Sequence, residues 1–307
     1  MIDLSVIIIN FNTHSYTINC IKSIIAHTSI SINYDVRIVD NNSKKLDVEK
    51  LEAYILELND PRIKLLKNYT NLGFGGGNMV GCQFSDAKYY TFLNNDCLLL
   101  NDCFSILINE MENNANYGVC GPQSYKENGD VLPTLDHYSS PQKELFGRYF
   151  LEKINSKKYP KRKKEYTKPK QGQFVSGSFM MLRAKDFWAI GGFDTNIFLY
   201  QEETDMCLRL SKLKKYAFLI PSAKFIHFHG VSTPKTIEIK TELKLSLLYV
   251  IRKHYGYVYH KFLLTFLQIK YYIKSKQKPK YKYLSNVLLR GGKMKYSLKY
   301  KQKINTV

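Results

Sequence analysis

The sequence predicts an α/β protein with a mostly parallel central sheet and helices on both faces of that sheet. Short apolar runs alternate with longer amphipathic segments over the first 120 residues, and 44% of the 307 residues are apolar, enough to fill a substantial core. Carboxylates follow three of the apolar runs, at Asp40, Asp96 and Glu203. Because such sheets bind ligands at the carboxyl ends of their strands, these acids indicate one assembled site.

Apolar spacing predicts each element in turn. A helix begins between Thr13 and Ser15 after the first strand, and a later helix is capped by Asn101 or Asp102. Between them lies a second helix, whose apolar residues share one face. The four strands expected before residue 100 are at 4–9, 35–39, 63–66 and 89–93.

The second half of the chain is strongly basic. Residues 1–150 hold 12 Lys/Arg against 17 Asp/Glu, whereas residues 151–307 hold 34 against 9. Prolines and a Lys/Arg cluster between 133 and 170 predict a mobile connection or lid. From Thr241 onward there are 16 Lys/Arg and a single acid. The two halves are therefore expected to differ in function.

Cysteine usage and hydropathy indicate the cellular compartment of the protein. Six cysteines show neither a C-x-x-C pair nor metal-finger spacing, so a reducing cytosol is expected. No apolar run approaches the roughly 18 residues of a membrane span, and the sequence begins directly with a strand. We expect a cytoplasmic protein, soluble or peripheral at the inner face of the membrane.

Two segments near the strand ends fit a nucleotide. Asp40 and Asn42 lie in a polar turn, where a carboxylate can accept hydrogen bonds from ribose or base, although an ordinary helix N-cap explains Asp40 equally well. Residues 68–78 carry four glycines in five positions, which would let backbone N–H groups approach a diphosphate at a helix start. A tight turn is the alternative there, and neither common phosphate-loop motif is present.

A divalent cation is indicated by Asp96 and His227. Mg²⁺ needs only one or two protein carboxylates when phosphates and water complete its shell. His227 and His229 follow an apolar run. A neutral imidazole could join Asp96 at the metal, although a lone histidine is more often structural.

Glu202, Glu203 and Asp205 open a predicted helix, where the helix dipole favours the ionised carboxylate that a general base requires. Three acids also suit an ordinary first turn. Glu203 shares a helix face with Cys207 and is expected to turn toward the protein body.

Taken in order, these segments resemble the family 2 glycosyltransferases of the GT-A fold, in particular the bacterial rhamnosyltransferase-like branch. The likeness covers about residues 3–255. The segments that carry it are 6–12, 39–43, 71–78, 92–96, 175–183, 191–194, 200–209 and 227–232.

The resemblance implies an inverting transfer from a nucleotide-diphosphate sugar, such as dTDP-rhamnose or a UDP-sugar, to a glycan or lipid-linked glycan of the bacterial surface. It implies a metal, Mn²⁺ or Mg²⁺, on Asp96 and His227, and a base at Glu203, with Glu202 and Asp205 as the other candidates. The implied acceptor-side residues are Ser176, Gly177 and Arg209. The implied nucleotide-sugar-binding residues are Asn10, Asn12, Asp40, Asn42, Asn71, Gly73, Phe74, Gly75, Gly76, Asn78, Asn94 and Asn95.

The implied domains are a catalytic domain at 1–240 and a basic, aromatic-rich helical extension at 241–307. Residues 1–120 would bind the nucleotide-sugar and 121–240 the acceptor. The extension is expected to contact an anionic membrane, which attracts each Lys or Arg by about 1 kcal/mol. A solvated helical pair packed on the catalytic domain is the alternative for this segment.

Specific residues bear on three other possible functions. A nucleic-acid-binding protein would use the same basic extension, but no recognition motif accompanies it, so no nucleic-acid partner is expected. A nucleotidyltransferase should show a basic, glycine-rich opening loop, which residues 10–13 lack. Asn94 and Glu203 stand where family members usually carry aspartates, so a weak or inactive relative is the remaining alternative.

Overall fold

A computed structural model describes residues 2–228, 230 and 236–304 of the chain. His229, the second histidine of the predicted strand, lies outside these residues, as do residues 231 and 232 of the matching segment 227–232.

The described residues contain twelve strands, whose positions include all four that were predicted. They are β1 (Ile2–Asn10), β2 (Tyr34–Asp40), β3 (Ile63–Lys67), β4 (Ala87–Asn94), β5 (Cys97–Leu99), β6 (Tyr117–Tyr125), β7 (Val131–Leu132), β8 (Leu135–Asp136), β9 (Lys170–Gly172), β10 (Phe174–Val175), β11 (Phe179–Arg183) and β12 (Tyr216–His227).

Ten of these strands form one sheet, in the order β3-β2-β1-β4-β11-β6-β12-β5, with β7 on β6 and β9 on β12. Strand β11 runs antiparallel to both β4 and β6, so β4 and β6 point the same way. Together with the parallel pairings of β1, β2, β3 and β12, six strands share one direction. The predicted mostly parallel sheet is confirmed, and the carboxyl ends of β2, β4 and β12 lie at one edge.

Ten α-helices occur in the described part of the chain. They are α1 (His14–His27), α2 (Lys45–Leu58), α3 (Gly73–Gln83), α4 (Cys103–Asn113), α5 (Pro141–Phe146), α6 (Arg148–Ile154), α7 (Ala184–Ala189), α8 (Glu202–Lys212), α9 (Ile237–Gln277) and α10 (Lys282–Leu289). Short 3₁₀ helices follow at Pro279–Tyr281, Met294–Tyr296 and Leu298–Lys301.

The helices cover both faces of the sheet, as predicted. Buried residues of α1, α2 and α4 pack in one core cluster with β1, β2 and β4. Buried residues of α3, α7 and α8 pack in a second cluster with the opposite face of the sheet. Asp102 caps α4 by accepting a hydrogen bond from the Ser105 N–H at 3.1 Å, which is one of the two caps expected. The alternating faces of the strands thus build two cores from one sheet.

The C-terminal segment is helical, as expected, and it has a core of its own. Helix α9 is interrupted at Gly256, whose φ of 88° is not helical. Leu247 and Ile251 lie before this break and pack with Leu263 after it and with Leu288 of α10. Among the described residues, no helix has both the length and the apolarity that crossing a membrane requires.

The segment 133–170, for which a mobile connection or lid was predicted, contains β8, α5 and α6. Its mobility and the domain limits at 120 and 240 remain predictions. The site described next is lined by Thr236, the N-cap residue of α9, and by Ile239, Lys240 and Leu243 of α9. The C-terminal segment therefore contributes to the site directly.

Candidate active site

Two adjacent clefts open at the edge where β4 and β12 end and α8 begins. The first cleft has a volume of about 580 Å³ and contains Asn94, Asp96 and Glu202. The second cleft, of about 420 Å³, contains Asp136 and Lys143. Residues common to both clefts form the boundary between them: Ser176, Tyr200, Glu203, His227 and Leu243. A group bound in one cleft would therefore lie next to a group bound in the other.

Asp96 and His227 come together because β5 pairs with β12, with Cys97 opposite His227. The Nε2 atom of His227 lies 3.3 Å from Oδ1 of Asp96. The Cys97 thiol completes a group of three whose candidate ligand atoms lie within 4.8 Å of one another. That thiol faces the Ser178 carbonyl, and burial raises its pKa well above the usual value, which disfavours the thiolate. Asp96 and His227 are the pair that fits a divalent cation.

Glu203 is the one of the three candidate acids that lines both clefts. Its Oε1 accepts a hydrogen bond from the Gly177 N–H at 3.0 Å. A Cβ on Gly177 would lie 2.7 Å from that oxygen, so glycine is what lets the carboxylate sit there. Burial raises the pKa of Glu203, opposed by backbone hydrogen bonds including that of Gly177. A carboxylate with a raised pKa is suited to accept a proton near neutral pH.

Asp205 is held in a buried ion-pair network. Its Oδ2 accepts two hydrogen bonds from Arg209, at 2.9 and 2.6 Å, and its Oδ1 lies 2.7 Å from both Lys253 Nζ and His254 Nε2. Despite burial, the hydrogen bond to His254 and the charge of Arg209 hold its pKa at about 2. Asp205 lines neither cleft, so the geometry does not favour it as the base.

Arg209, expected on the acceptor side, is occupied in the same way. Besides Asp205, its guanidinium donates to the carbonyls of Ile190 and Gly192, at 2.5 and 2.7 Å. Arg209 faces Asp205 because residues four apart on a helix face the same way, and it lines neither cleft. Its acceptor-side role stays a prediction.

Glu202 is buried and lines the first cleft only. Its Oε1 has no hydrogen-bond partner among the described residues. Burial and the neighbouring Glu203 raise its pKa well above the ordinary value. Glu202 is the weaker candidate for the base because it does not line the second cleft.

Asp40 lies at the same edge of the sheet, but it lines neither cleft. Its Oδ1 accepts from Asn10 Nδ2 at 2.8 Å and its Oδ2 from the Ser43 N–H at 2.9 Å. Helix α2 begins only at Lys45, with Lys44 as its N-cap residue, so the N-cap explanation of Asp40 is not supported. Asp40 shapes the polar turn, and its contact with a nucleotide stays a prediction.

Polar side chains connect this turn to the end of β4. Asn95 Nδ2 donates to the hydroxyls of Thr13 and Thr17, and Thr17 donates to Asn10 Oδ1 at 2.8 Å. Asn12 and Asn42 adopt left-handed backbone angles, with φ of 57° and 66°, which asparagine tolerates better than most residues. Asn10 and Asn95 are buried, so their first role is to fix the loops.

The glycines of α3 contact protein, not open space. A Cβ on Gly73 would lie 1.9 Å from the Phe198 carbonyl oxygen, and one on Gly75 would lie 3.2 Å from Phe193 Cβ. Asn71 accepts from the Gly73 N–H at 2.8 Å, and the Phe74 N–H donates to the Phe198 carbonyl. Gly73 is therefore approached closely by the segment before α8, and the approach of a diphosphate to this glycine stretch remains a prediction. Of this stretch, Phe74 lines the first cleft.

The remaining predicted residues of the stretch also have internal contacts. Asn78 is buried and donates to the Phe74 carbonyl at 3.0 Å. Gly76 would place a Cβ 2.9 Å from Leu72 of the preceding turn. Their role in binding a nucleotide-sugar remains a prediction.

Sequence reasoning missed the charged residues of the second cleft. Asp136, Lys143, Arg148 and Arg162 line it, and they come from the segment in which only a basic lid was expected. The Lys/Arg cluster at 157–164 was the available signal, but it gave no sign of which cations would face the site.

The sheet order, with clefts at the carboxyl ends of its strands, is that of the GT-A fold of the nucleotide-diphospho-sugar transferases. The crystal structure of GalNAc-T7 with UDP, GalNAc and Mn²⁺ shares this fold, with a TM-score of 0.62 and 14% sequence identity. The similarity covers 95% of this chain, and the chain spans 56% of the length of that structure.

The chain belongs to glycosyl transferase family 2, whose model matches residues 5–191. Rhamnosyltransferase WbbL of Escherichia coli is 27% identical over 190 residues, which is 59% of this chain and 71% of the relative. The N-acetylglucosaminyl-diphospho-decaprenol L-rhamnosyltransferase of Mycobacterium tuberculosis is 23% identical over 214 residues, 64% of this chain and 69% of the relative. The predicted family and its rhamnosyltransferase-like branch are confirmed.

Proposed function

We propose that this glycosyltransferase moves a sugar, with inversion of its anomeric carbon, from a nucleotide-diphosphate donor in the first cleft to an acceptor hydroxyl in the second. The observation that carries the proposal is the position of Glu203 at the boundary of the two clefts. Inversion requires the base and the leaving group on opposite faces of the sugar. A base between the two binding spaces, with Asp96 and His227 at the first, meets this requirement.

In the proposed reaction, Glu203 takes the proton of the acceptor hydroxyl while the acceptor oxygen forms a bond to the anomeric carbon. The bond from that carbon to the phosphate oxygen breaks, and the electron pair leaves with the nucleoside diphosphate. Asp96 and His227 would hold Mn²⁺ or Mg²⁺, which neutralises developing charge on a diphosphate. The Gly177 N–H fixes the Glu203 carboxylate at the position where it can accept the proton.

The two rhamnosyltransferase relatives favour dTDP-rhamnose as donor over a UDP-sugar. Since one relative is named for a diphospho-decaprenol substrate, a lipid-linked glycan of a bacterial surface polysaccharide is the proposed acceptor. Donor and acceptor would thus meet at the membrane surface.

A thermal-shift screen tests donor and metal together. A ligand that binds only the native state raises the melting temperature, so dTDP-rhamnose, UDP-galactose and UDP-hexosamines are compared with and without Mn²⁺. We expect a Mn²⁺-dependent shift with at least one donor in the wild type and in Asp130→Ala, a surface control. The shift should be absent in Asp96→Ala. A full shift in that variant would reject the metal assignment.

We also propose that the C-terminal segment contacts an anionic membrane. Exposed Tyr257, Phe262 and Tyr272 alternate with lysines on α9, and Lys261 and Lys276 lie 5.2 Å from the ring centroids of Tyr257 and Tyr272. Aromatic rings and snorkelling cations suit a lipid headgroup layer. Sedimentation with anionic liposomes should decrease as salt rises. Binding to DNA in a shift assay, with none to liposomes, would support the nucleic-acid alternative instead.

A further inference from the structure

Three cations surround one carboxylate in the second cleft. Asp136 lies 2.8 Å from Arg162, 3.1 Å from Arg148 and 3.5 Å from Lys143. Glu152, which does not line this cleft, lies 3.2 Å from His137 Nε2. The cleft is lined by two carboxylates, Asp136 and Glu203, against three cations, and charge is costly to leave uncompensated where water is scarce. The site therefore has capacity for a further anion.

The cations differ in how far they are withdrawn from water. The side chains of Lys143 and Arg162 are 6% and 20% exposed, whereas that of Arg148 is 47% exposed. Burial lowers the pKa of Lys143 to about 8, although Asp136 opposes this. The Nε–H of Arg162 has no acceptor among the described residues. Guanidinium groups in such a position are matched in geometry to phosphate oxygens.

The same residues connect the second cleft with a third, the outer cleft, of about 680 Å³. Arg148 and Arg162 line both, and six of the eight described residues around the outer cleft are Lys or Arg. On the other side, Asp136 and Lys143 act on Glu203, raising and lowering its pKa respectively. A phosphate bound between Arg148 and Arg162 would thus be a neighbour of the proposed base.

We propose that Lys143, Arg148 and Arg162 bind the diphosphate of the acceptor, so that the sugar attached to it extends into the second cleft toward Glu203. This inference rests on the proposed function, because it assigns the second cleft to the acceptor. The donor diphosphate is a separate group: none of the three cations lines the first cleft, and Asp96 does not line the second.

Apolar residues lie where a lipid attached to that diphosphate would leave the protein. Phe146, Tyr149 and Phe150 of α5 and α6 are 58%, 83% and 46% exposed, and Tyr149 lines the outer cleft. Exposed aromatic residues next to cations are suited to the headgroup region of a membrane. This arrangement favours a lipid-linked diphosphate over a free one.

Calorimetric titration with geranyl diphosphate in EDTA tests the subsite without catalysis or metal. We expect binding to the wild type, and a loss of about tenfold or more in Arg148→Gln and Arg162→Gln, because each removes one charge-assisted contact. Arg62→Gln is the matched control, since Arg62 is 44% exposed, pairs with Asp60 and lies away from the clefts. Its affinity should equal that of the wild type. Because the Arg148 side chain is half-exposed, Arg148→Gln should fold normally, which circular dichroism checks.

Two further titrations distinguish the source of the diphosphate. Saturating UDP should leave the affinity for geranyl diphosphate unchanged, and inorganic diphosphate should bind more weakly than geranyl diphosphate. Equal affinities in Arg148→Gln, Arg162→Gln and Arg62→Gln, displacement by UDP, or no binding to the wild type would overturn the proposal. Failure of the proposed function would show differently, as loss of the Mn²⁺-dependent donor shift with geranyl diphosphate binding retained.

Discussion

Replacing Asp205 with asparagine should destabilise the fold without removing the proposed base. The Asp205 side chain is fully buried and contacts Arg209, Lys253 and His254. A decrease in its pKa from 3.8 to about 2 corresponds to about 2 kcal/mol of folding free energy. Asparagine would also leave the Arg209 guanidinium, whose side chain is 16% exposed, without its carboxylate, and breaking such a buried pair costs about 3–5 kcal/mol.

The expected loss can be measured as a melting temperature at pH 7. At about 2 °C per kcal/mol for a chain of this size, Asp205→Asn should melt about 6–10 °C below the wild type. The exposed Asp130→Asn variant should melt with the wild type. Below its transition, Asp205→Asn should still transfer sugar.

The dependence of stability on acidic pH gives an independent test of the role of Asp205. The folded pKa of Asp205 is depressed, so its contribution is present above pH 3.8 and is lost as pH falls toward 2. The difference in melting temperature between the wild type and Asp205→Asn should therefore become smaller as the pH falls from 3.8 toward 2. An unchanged melting temperature together with abolished transfer would refute this reasoning and would restore Asp205 as a candidate base.

Three further outcomes are expected. Since burial raises the pKa of Glu203, kcat should rise with pH through a pKa above the usual 4.5 of glutamate, and a flat profile would argue against Glu203 as the base. Gly177→Ala should lower kcat while the melting temperature stays unchanged, because its Cβ would displace the Glu203 carboxylate; unaltered kcat would show that this position tolerates movement. In chemical denaturation, Gly73→Ala should unfold far more readily than Gly129→Ala. Both glycines have positive φ, but only at Gly73 would the added Cβ lie 1.9 Å from a carbonyl oxygen. Equal losses of stability in the two variants would attribute the effect to backbone strain alone.

The sequence predicted the sheet and the position of the site because both depend on local patterns. Short apolar runs form strands, and the residues that follow them, such as Asp96 and His227, must lie at the carboxyl edge whatever the rest of the chain does. The position of Glu203 at the clefts was also partly predictable from helical spacing, which places it on one face with Cys207.

Other features depend on contacts between distant parts of the chain. The role of Asp205 is set by His254, which lies 49 residues away, and that of Gly73 by the carbonyl of Phe198. Lys143 and Arg148 precede the visible basic cluster and converge with Arg162 only because all three meet Asp136. No periodicity reports such contacts, so these roles required the structure.

The most direct test of the central claim is the release of nucleoside diphosphate from nucleotide-sugars with Mn²⁺ and a bacterial lipid extract as acceptor. The wild type should release it from at least one donor, dTDP-rhamnose first among them. Glu203→Gln should be slower by a factor of about 10² or more, with the Mn²⁺-dependent thermal shift of the donor retained. Release from no donor in the panel, or release by Glu203→Gln at the wild-type rate, would contradict the account.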